Sequence, residues 1–160
     1  MQTLAFAALI AAAVYAGACT WTALRFTRAQ RRRPHSHPDH ADLARDQVFF
    51  PARDGRACIA AWYLQGEPRG AAVIFVHGKD ACRGSGAKAP SLALAEQLNR
   101  YGLSVLMIDL RGHGQSSDAR LSYGRRESED VLGAVDYLLE RGHRRIAFVG
   151  RVEAKPAPIP

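Results

Sequence analysis

The stretch Ala71–Asp80, A-A-V-I-F-V-H-G-K-D, constrains the rest of the chain more than any other. Ala72 to Val76 is an unbroken apolar run, rich in β-branched side chains, too short for a helix and closed off by Gly78. Such a run reads as a strand buried on both faces, as in a parallel sheet with helices above and below. A polar loop rather than a tight hairpin follows. The carboxyl ends of strands are where open α/β sheets hold their ligands.

The other elements are placed relative to this strand. From Asp46 the pattern is β: Gln47–Phe50, a turn at Arg53-Asp54-Gly55 and Cys58–Leu64 predict an antiparallel hairpin, Asp-Gly being a strong turn signal. After Asp80 a loop of small residues, 81–89, leads into a helix from Pro90. Leu94, Ala95, Leu98 and Tyr101 share one of its faces, and Gly102 closes it. A strand over Ser104–Leu110 follows, then a helix from about Ser128 to Arg141. Glu127, Glu129 and Asp130 stand at the positive end of that helix, with Val131, Leu132, Val135, Leu138 and Leu139 on its apolar face. A strand over Arg145–Val149 completes the alternation. Strand, helix, strand, helix, strand implies right-handed crossovers and a parallel sheet, so the fold class is α/β.

Ahead of this domain, Leu4 to Leu24 carries no charge over twenty-one residues. At ~1.5 Å per residue it crosses a hydrocarbon core of roughly 30 Å. A cleaved signal peptide competes with an anchor, although only Met1, Gln2 and Thr3 precede the segment and none is basic. Ala16-Gly17-Ala18 could be a cleavage site, and with Cys19 it also resembles a lipoprotein box in which Ala16 replaces the usual leucine. A buried helix is the third reading. Residues 1–24 are therefore assigned as a transmembrane anchor, with the lipid bilayer as the partner. Arg25, Arg28, Arg31, Arg32 and Arg33 follow at once. Cationic flanks stay cytoplasmic, which puts the N-terminus outside and everything from Arg25 onward inside.

The formal charge of +7 raises the question of nucleic acid. The surplus is local: residues 25–40 hold five arginines against one aspartate, while residues 41–150 hold fifteen basic and thirteen acidic side chains. A nucleic-acid partner is excluded on that distribution. Three widely spaced cysteines, Cys19, Cys58 and Cys82, form no disulfide framework and no zinc spacing, which fits a reducing compartment. Residues 25–44 are a basic, Pro/His-containing linker. Its His35, His37, Asp39 and His40 are metal-ligand types without apolar support to fix a geometry, so no metal and no cofactor is expected. Gly112-His113-Gly114 has Ser117 where a dinucleotide loop needs its third glycine, and Gly84-Ser85-Gly86-Ala87-Lys88 lacks the spacing of a phosphate loop.

Taken together, residues 46–150 resemble the N-terminal half of the α/β-hydrolase superfamily, near its lysophospholipase and serine-aminopeptidase-like branch. The hairpin with its Asp54-Gly55 turn is similar to that family's first two strands, and Val76-His77-Gly78 to its third strand and oxyanion loop. Asp109-Leu110-Arg111-Gly112-His113-Gly114-Gln115-Ser116 resembles the D-x-R-G-H-G-x-S run after the fourth strand. The resemblance implies ester or amide hydrolysis of a small-molecule or lipid substrate by a serine nucleophile. It makes His77, Gly78 and Lys79 the oxyanion loop, with the backbone N–H at Lys79 as a donor to the developing oxyanion. Asp109, Arg111, Gly112, His113 and Gly114 become the structural motif that ties loops together. Ser116 sits in G-x-S-x-D, off a strand-to-helix turn, and is no elbow nucleophile.

The pattern then fails at the catalytic position. Where such hydrolases run into G-x-S-x-G, this chain reads Gly150-Arg151-Val152-Glu153-Ala154. Val152 stands in place of the serine, and its branched Cβ suits the strained φ of an elbow poorly. The prolines of residues 151–160, an irregular tail, cannot form the helix that follows an elbow. The expectation is an incomplete hydrolase sheet behind a membrane helix, diverted at the nucleophile by a truncated or shifted reading frame and inactive. The alternative is a membrane module that binds a partner without catalysis.

Overall fold

The computed structural model describes residues 2–28, 31, 45–84 and 90–150. The Pro34–His40 stretch and Val152 lie outside them. Helix α1 (Gln2–Phe26) precedes β1 (Arg45–Pro51), β2 (Cys58–Leu64), β3 (Ala72–Val76), α2 (Pro90–Arg100), β4 (Ser104–Ile108), α3 (Glu127–Glu140) and β5 (Ile146–Gly150). The five strands form one sheet in the order β1-β2-β4-β3-β5. β1 and β2 pair antiparallel, β2 and β4 antiparallel, and β3 pairs parallel with β4 on one side and β5 on the other.

Alternation along each strand sorts the side chains into two cores. Ile59, Ala61 and Tyr63 of β2, Ala72 and Ile74 of β3, and Leu106 and Ile108 of β4 meet Ala134, Tyr137 and Leu138 of α3. On the other face, Trp62, Leu64, Val73, Phe75, Val105 and Met107 pack with Ala95 and the half-buried Leu92 and Leu98 of α2. The sheet is thus a layer between two helices. That is why Val73 to Phe75 is apolar without a break: both faces are inside.

The periodicity of α2 differs from the sequence expectation. Ala95 and Leu98 point inward, but Leu94 and Tyr101 are exposed, Tyr101 to 82%. Leu92 supplies the third inward position, because the helix turns its 92–95–98 stripe to the sheet and the alanine permits the close approach. Strand β4 stops at Ile108 instead of Leu110; the Asp109 N–H still donates to Ala60 of β2 at 2.8 Å while its carboxylate pairs with Arg83. The inward face of α3 centres on Asp130, Gly133, Ala134, Tyr137 and Leu138, with Val131 and Val135 at its margin and Leu132 and Leu139 half-buried.

Helix α1 is exposed all round, and none of its apolar window, Ala5–Phe26, is buried in the protein. It is long and apolar enough to cross a membrane. Its Thr20 hydroxyl donates to the Ala16 carbonyl one turn back at 2.8 Å, and Thr27 does the same to Ala23. Those bonds leave few polar groups for a hydrocarbon environment to penalise.

Candidate functional site

The carboxyl ends of β3, β4 and β5 lie side by side, and the loop leaving β3, with Ser91 of α2, walls a small cavity of about 40 Å³ over the strand ends. Its lining includes Val76, His77, Gly78, Ala81, Cys82 and Arg83, with Met107 and Val149 beneath. A small-molecule site takes several hundred Å³. The cavity has room for a reacting carbonyl and not for a whole substrate.

His77 has both ring nitrogens engaged. The Leu110 backbone N–H donates to Nε2 at 3.1 Å, so that nitrogen carries no proton and Nδ1–H donates to the Gly78 carbonyl at 2.7 Å. The imidazole is neutral, and it ties the loop after β3 to the loop after β4. Lys79 follows, then Asp80 at a φ of 59°, a left-handed conformation that a non-glycine residue holds only at a cost of about 1–3 kcal/mol. The Lys79 ammonium lies 5.5 Å from the ring of Phe26 and 5.6 Å from that of Tyr123. The Tyr123 hydroxyl donates to the Phe26 carbonyl at 2.8 Å. The end of α1 is therefore fastened beside the loop that resembles an oxyanion loop.

Behind these loops sit two buried ion-pair clusters. Asp109 accepts from the Arg83 guanidinium at 2.7 Å, from the Arg83 backbone N–H at 2.7 Å and from the Gln115 N–H at 3.0 Å. Burial pushes the Arg83 guanidinium down, partly offset by Asp109. The guanidinium also lies over the Trp62 ring at 5.1 Å and donates to the Gln115 side chain. Gly114 is required here: a Cβ on it would come within 1.9 Å of an Asp109 carboxylate oxygen.

The second cluster is Arg111, held by Asp130 at 2.8 Å and by both oxygens of Asp54 at 3.0 and 3.1 Å. Burial opposes the Arg111 cation, but the bonds to Asp54 and Asp130 outweigh it and hold the guanidinium above its ordinary value. Burial likewise pushes the Asp130 carboxyl up against the pull of the Arg111 N–H groups. The turn, the loop after β4 and the first turn of α3 are thereby pinned together.

His113 is fully buried. Its Nδ1 faces the Arg111 carbonyl at 3.0 Å and its ring packs 4.9 Å from that of His77. The Ser116 hydroxyl donates to the Asp109 carbonyl at 2.6 Å and accepts from the Ala60 N–H at 2.9 Å. It is buried and committed in both directions, with no base beside it. His143 belongs to the opposite end of the sheet. There it bonds the Gly70 carbonyl and the Tyr63 hydroxyl at 2.9 and 3.0 Å, and Tyr63 in turn meets Ser104 at 3.2 Å.

The structure thus brings together His77, Gly78, Asp109, Arg111, His113 and Gly114, adds Arg83, for which the sequence held no direct sign, and gives Gln115 and Asp130 partners that their places in the motif and at the helix start did not indicate. The signal for Arg83 was indirect: an aspartate at the end of a wholly apolar strand needs a nearby cation.

Solved structures share this fold. An esterase from Pyrococcus furiosus superimposes with a TM-score of 0.65 at 23% identity, over 77% of this chain and 48% of its own. An α/β hydrolase from Penicillium sp. sh18 does so at 0.57 and 25%, over 68% of this chain and 37% of that one. The fold is that of the α/β hydrolases. A bottromycin epimerase matches at 0.50 and 29%, over 66% of this chain and 38% of that one. The chain spans about half or less of the length of the structures it matches. No family sequence model and no curated protein matches it.

Proposed function

We propose that this chain is a single-pass, membrane-anchored member of the α/β-hydrolase superfamily, of the lysophospholipase and serine-aminopeptidase-like branch. Residues 45–150 form the N-terminal half of the catalytic fold and stand on the cytoplasmic side of a bacterial inner membrane. The family reaction is hydrolysis of an ester or amide by a serine nucleophile. The observation that carries the reading is the loop His77-Gly78-Lys79, placed at the carboxyl end of β3 against the β4 and β5 ends, in a fold shared with esterases. Backbone N–H groups in such a loop stabilise a developing oxyanion.

The same residues do not make a triad. Val152 stands at the position of the nucleophile. The imidazoles of His77 and His143 are hydrogen-bonded through both nitrogens, and His113 is enclosed behind the loops. We therefore propose that residues 45–150 do not catalyse hydrolysis on their own. Loss of a complete triad lowers turnover by about 10⁶-fold where it has been measured. Purified chain, treated with a fluorophosphonate probe and p-nitrophenyl esters, should show neither serine labelling nor hydrolysis above background. Stoichiometric labelling of any serine, Ser116 included, overturns the assignment of an inactive half-site.

A second reading, a membrane module that binds a partner without catalysis, draws on β5. Among the described residues that strand pairs only with β3, and its Phe148 is 54% exposed. An open apolar edge is a template for strand addition.

A further inference from the structure

The end of α1 and the segment leading into α3 enclose two open grooves. One, of about 630 Å³, has Thr20, Ala23 and Leu24 of the helix on one wall and Arg120, Arg125 and Arg126 on the other. The second, of about 620 Å³, runs between Leu24, Arg28 and Arg31 and the 118–120 segment. Arg25, Arg28, Arg120, Arg125 and Arg126 are all exposed, and none forms an ion pair with a described residue. The nearby acids are committed elsewhere. Asp118 pairs with Arg31 at 2.9 Å, and the Glu127 carboxylate takes the Ser122 hydroxyl and the N–H groups of Ser122 and Gly124. Four guanidinium groups without an ion-pair partner among the described residues, those of Arg28, Arg120, Arg125 and Arg126, thus line the grooves beside the last two turns of an apolar helix, and three of them come from the folded domain ninety-odd residues later.

We infer that these grooves seat the headgroups of anionic phospholipids. The two walls select the ligand: an apolar helix end beside a cationic rim fits a molecule with an acyl chain and a phosphate, which a nucleic acid or a free anion does not match. Each Arg near a membrane surface attracts anionic lipid, and arginine adds bidentate bonds to phosphate. Trp21 and Phe26 are exposed on the end of α1, and Tyr123 is exposed beside Phe26; aromatic side chains collect at membrane interfaces. The fastening of Tyr123 and Lys79 to Phe26 then makes the contact consequential. A bound headgroup layer holds the carboxyl end of the sheet, with its small cavity, toward the bilayer surface.

The inference rests on the membrane-anchor part of the proposed function, and the test separates the two. The full chain is reconstituted in phosphatidylcholine vesicles containing phosphatidylglycerol, with the acyl chains of either lipid brominated in turn. Quenching of Trp21, which is 66% exposed on α1, reports which lipid adjoins it, while Trp62 is buried in the sheet and supplies a constant background. The expected result is a preference for phosphatidylglycerol on the order of tenfold at low salt, falling toward unity at high salt. The preference should fall to about twofold or less in Arg120→Gln/Arg125→Gln/Arg126→Gln, whose replaced side chains support no ion pair of the fold. Quenching without preference, or a preference that survives the triple substitution, overturns the headgroup site. Absence of quenching by either lipid overturns the anchor itself.

Discussion

Replacing Arg83 by methionine separates burial from geometry as the source of ion-pair strength. Arg83 and Asp109 lie 2.7 Å apart with neither side chain exposed. Arg53 and Asp136 are as close, at 2.5 Å, but their side chains are 44% and 42% exposed. Distance alone would make the two pairs equal; solvent screening does not. Methionine retains the bulk of the arginine stem and removes its cation, stranding the Asp109 carboxylate. Removing one partner of a buried pair costs about 3–5 kcal/mol. Asp109 keeps the backbone N–H groups of Arg83 and Gln115, so the loss lies near the lower bound, about 3 kcal/mol. A domain of this size unfolds in urea with a slope of roughly 1–1.5 kcal/mol per molar, so the midpoint should fall by roughly 2–3 M. The assay is urea unfolding of the full chain in detergent micelles, followed by Trp62, whose ring lies beneath the Arg83 guanidinium. Asp136→Asn, breaking the exposed pair, should leave the midpoint unchanged. A midpoint for Arg83→Met within about 0.5 M of the parent refutes the reasoning.

Three further outcomes follow from the same structure. Gly133→Ala, normally a gain inside a helix, should destabilise by about 2 kcal/mol or more, because the new Cβ would stand 2.4 Å from the Pro51 carbonyl oxygen; thermal unfolding checks it. Stability should decline as pH falls below about 4: hydrogen bonds from Arg111 hold the Asp54 carboxyl low, whereas the exposed Asp136 pair is screened and adds little. Burial works to raise Glu127, but hydrogen bonds from Ser122 and Gly124 outweigh it and hold that carboxyl low as well. A carboxyl held low in the folded state stabilises above its unfolded pKa and loses that contribution as pH drops through the folded one. The raised Asp130 runs in the opposite sense. Unfolding of Glu127→Gln should accordingly depend less on pH in this range than that of the parent. Finally, the chain should resist carbonate extraction, and a reporter fused after Pro160 should be active in the cytoplasm; periplasmic activity alone would contradict the orientation.

The strands were legible in the sequence because burial on both faces leaves a one-letter signature: Cys58–Leu64 and Ala72–Val76 have the same bounds in the structure and in the reading of their apolar runs. The parallel pairing of β3 with β4 and β5 followed from alternation with helices. What did not show was the direction of individual side chains on α2. Leu94 and Tyr101 obey a helical period, but a short helix can present any of several overlapping stripes, and only the sheet decides. Nor did the partner choice of charges appear. Asp130 reads as a favourable charge at a helix start, yet it turns to Arg111, and Arg83 was hidden among small residues. Ion pairs between loops separated by some twenty to sixty residues leave no local pattern.

The strand order carries a consequence for synthesis. β3 is paired on both sides by strands made after it, and the β5 residues that complete it come about seventy residues later. At roughly 5–20 residues per second that interval is several seconds. β4 follows about thirty residues after β3, so through the rest of the interval the most apolar segment of the domain keeps one edge unpaired. The β1–β2 hairpin closes locally in microseconds and protects only itself. If α1 anchors the chain as proposed, the nascent chain is held at one end and sticky in the middle, a state in which two neighbouring copies can zip together before either is finished. Slow translation over residues 77–145 would lengthen that exposure, and a holding chaperone acting on the Ala72–Val76 stretch would shorten its reach.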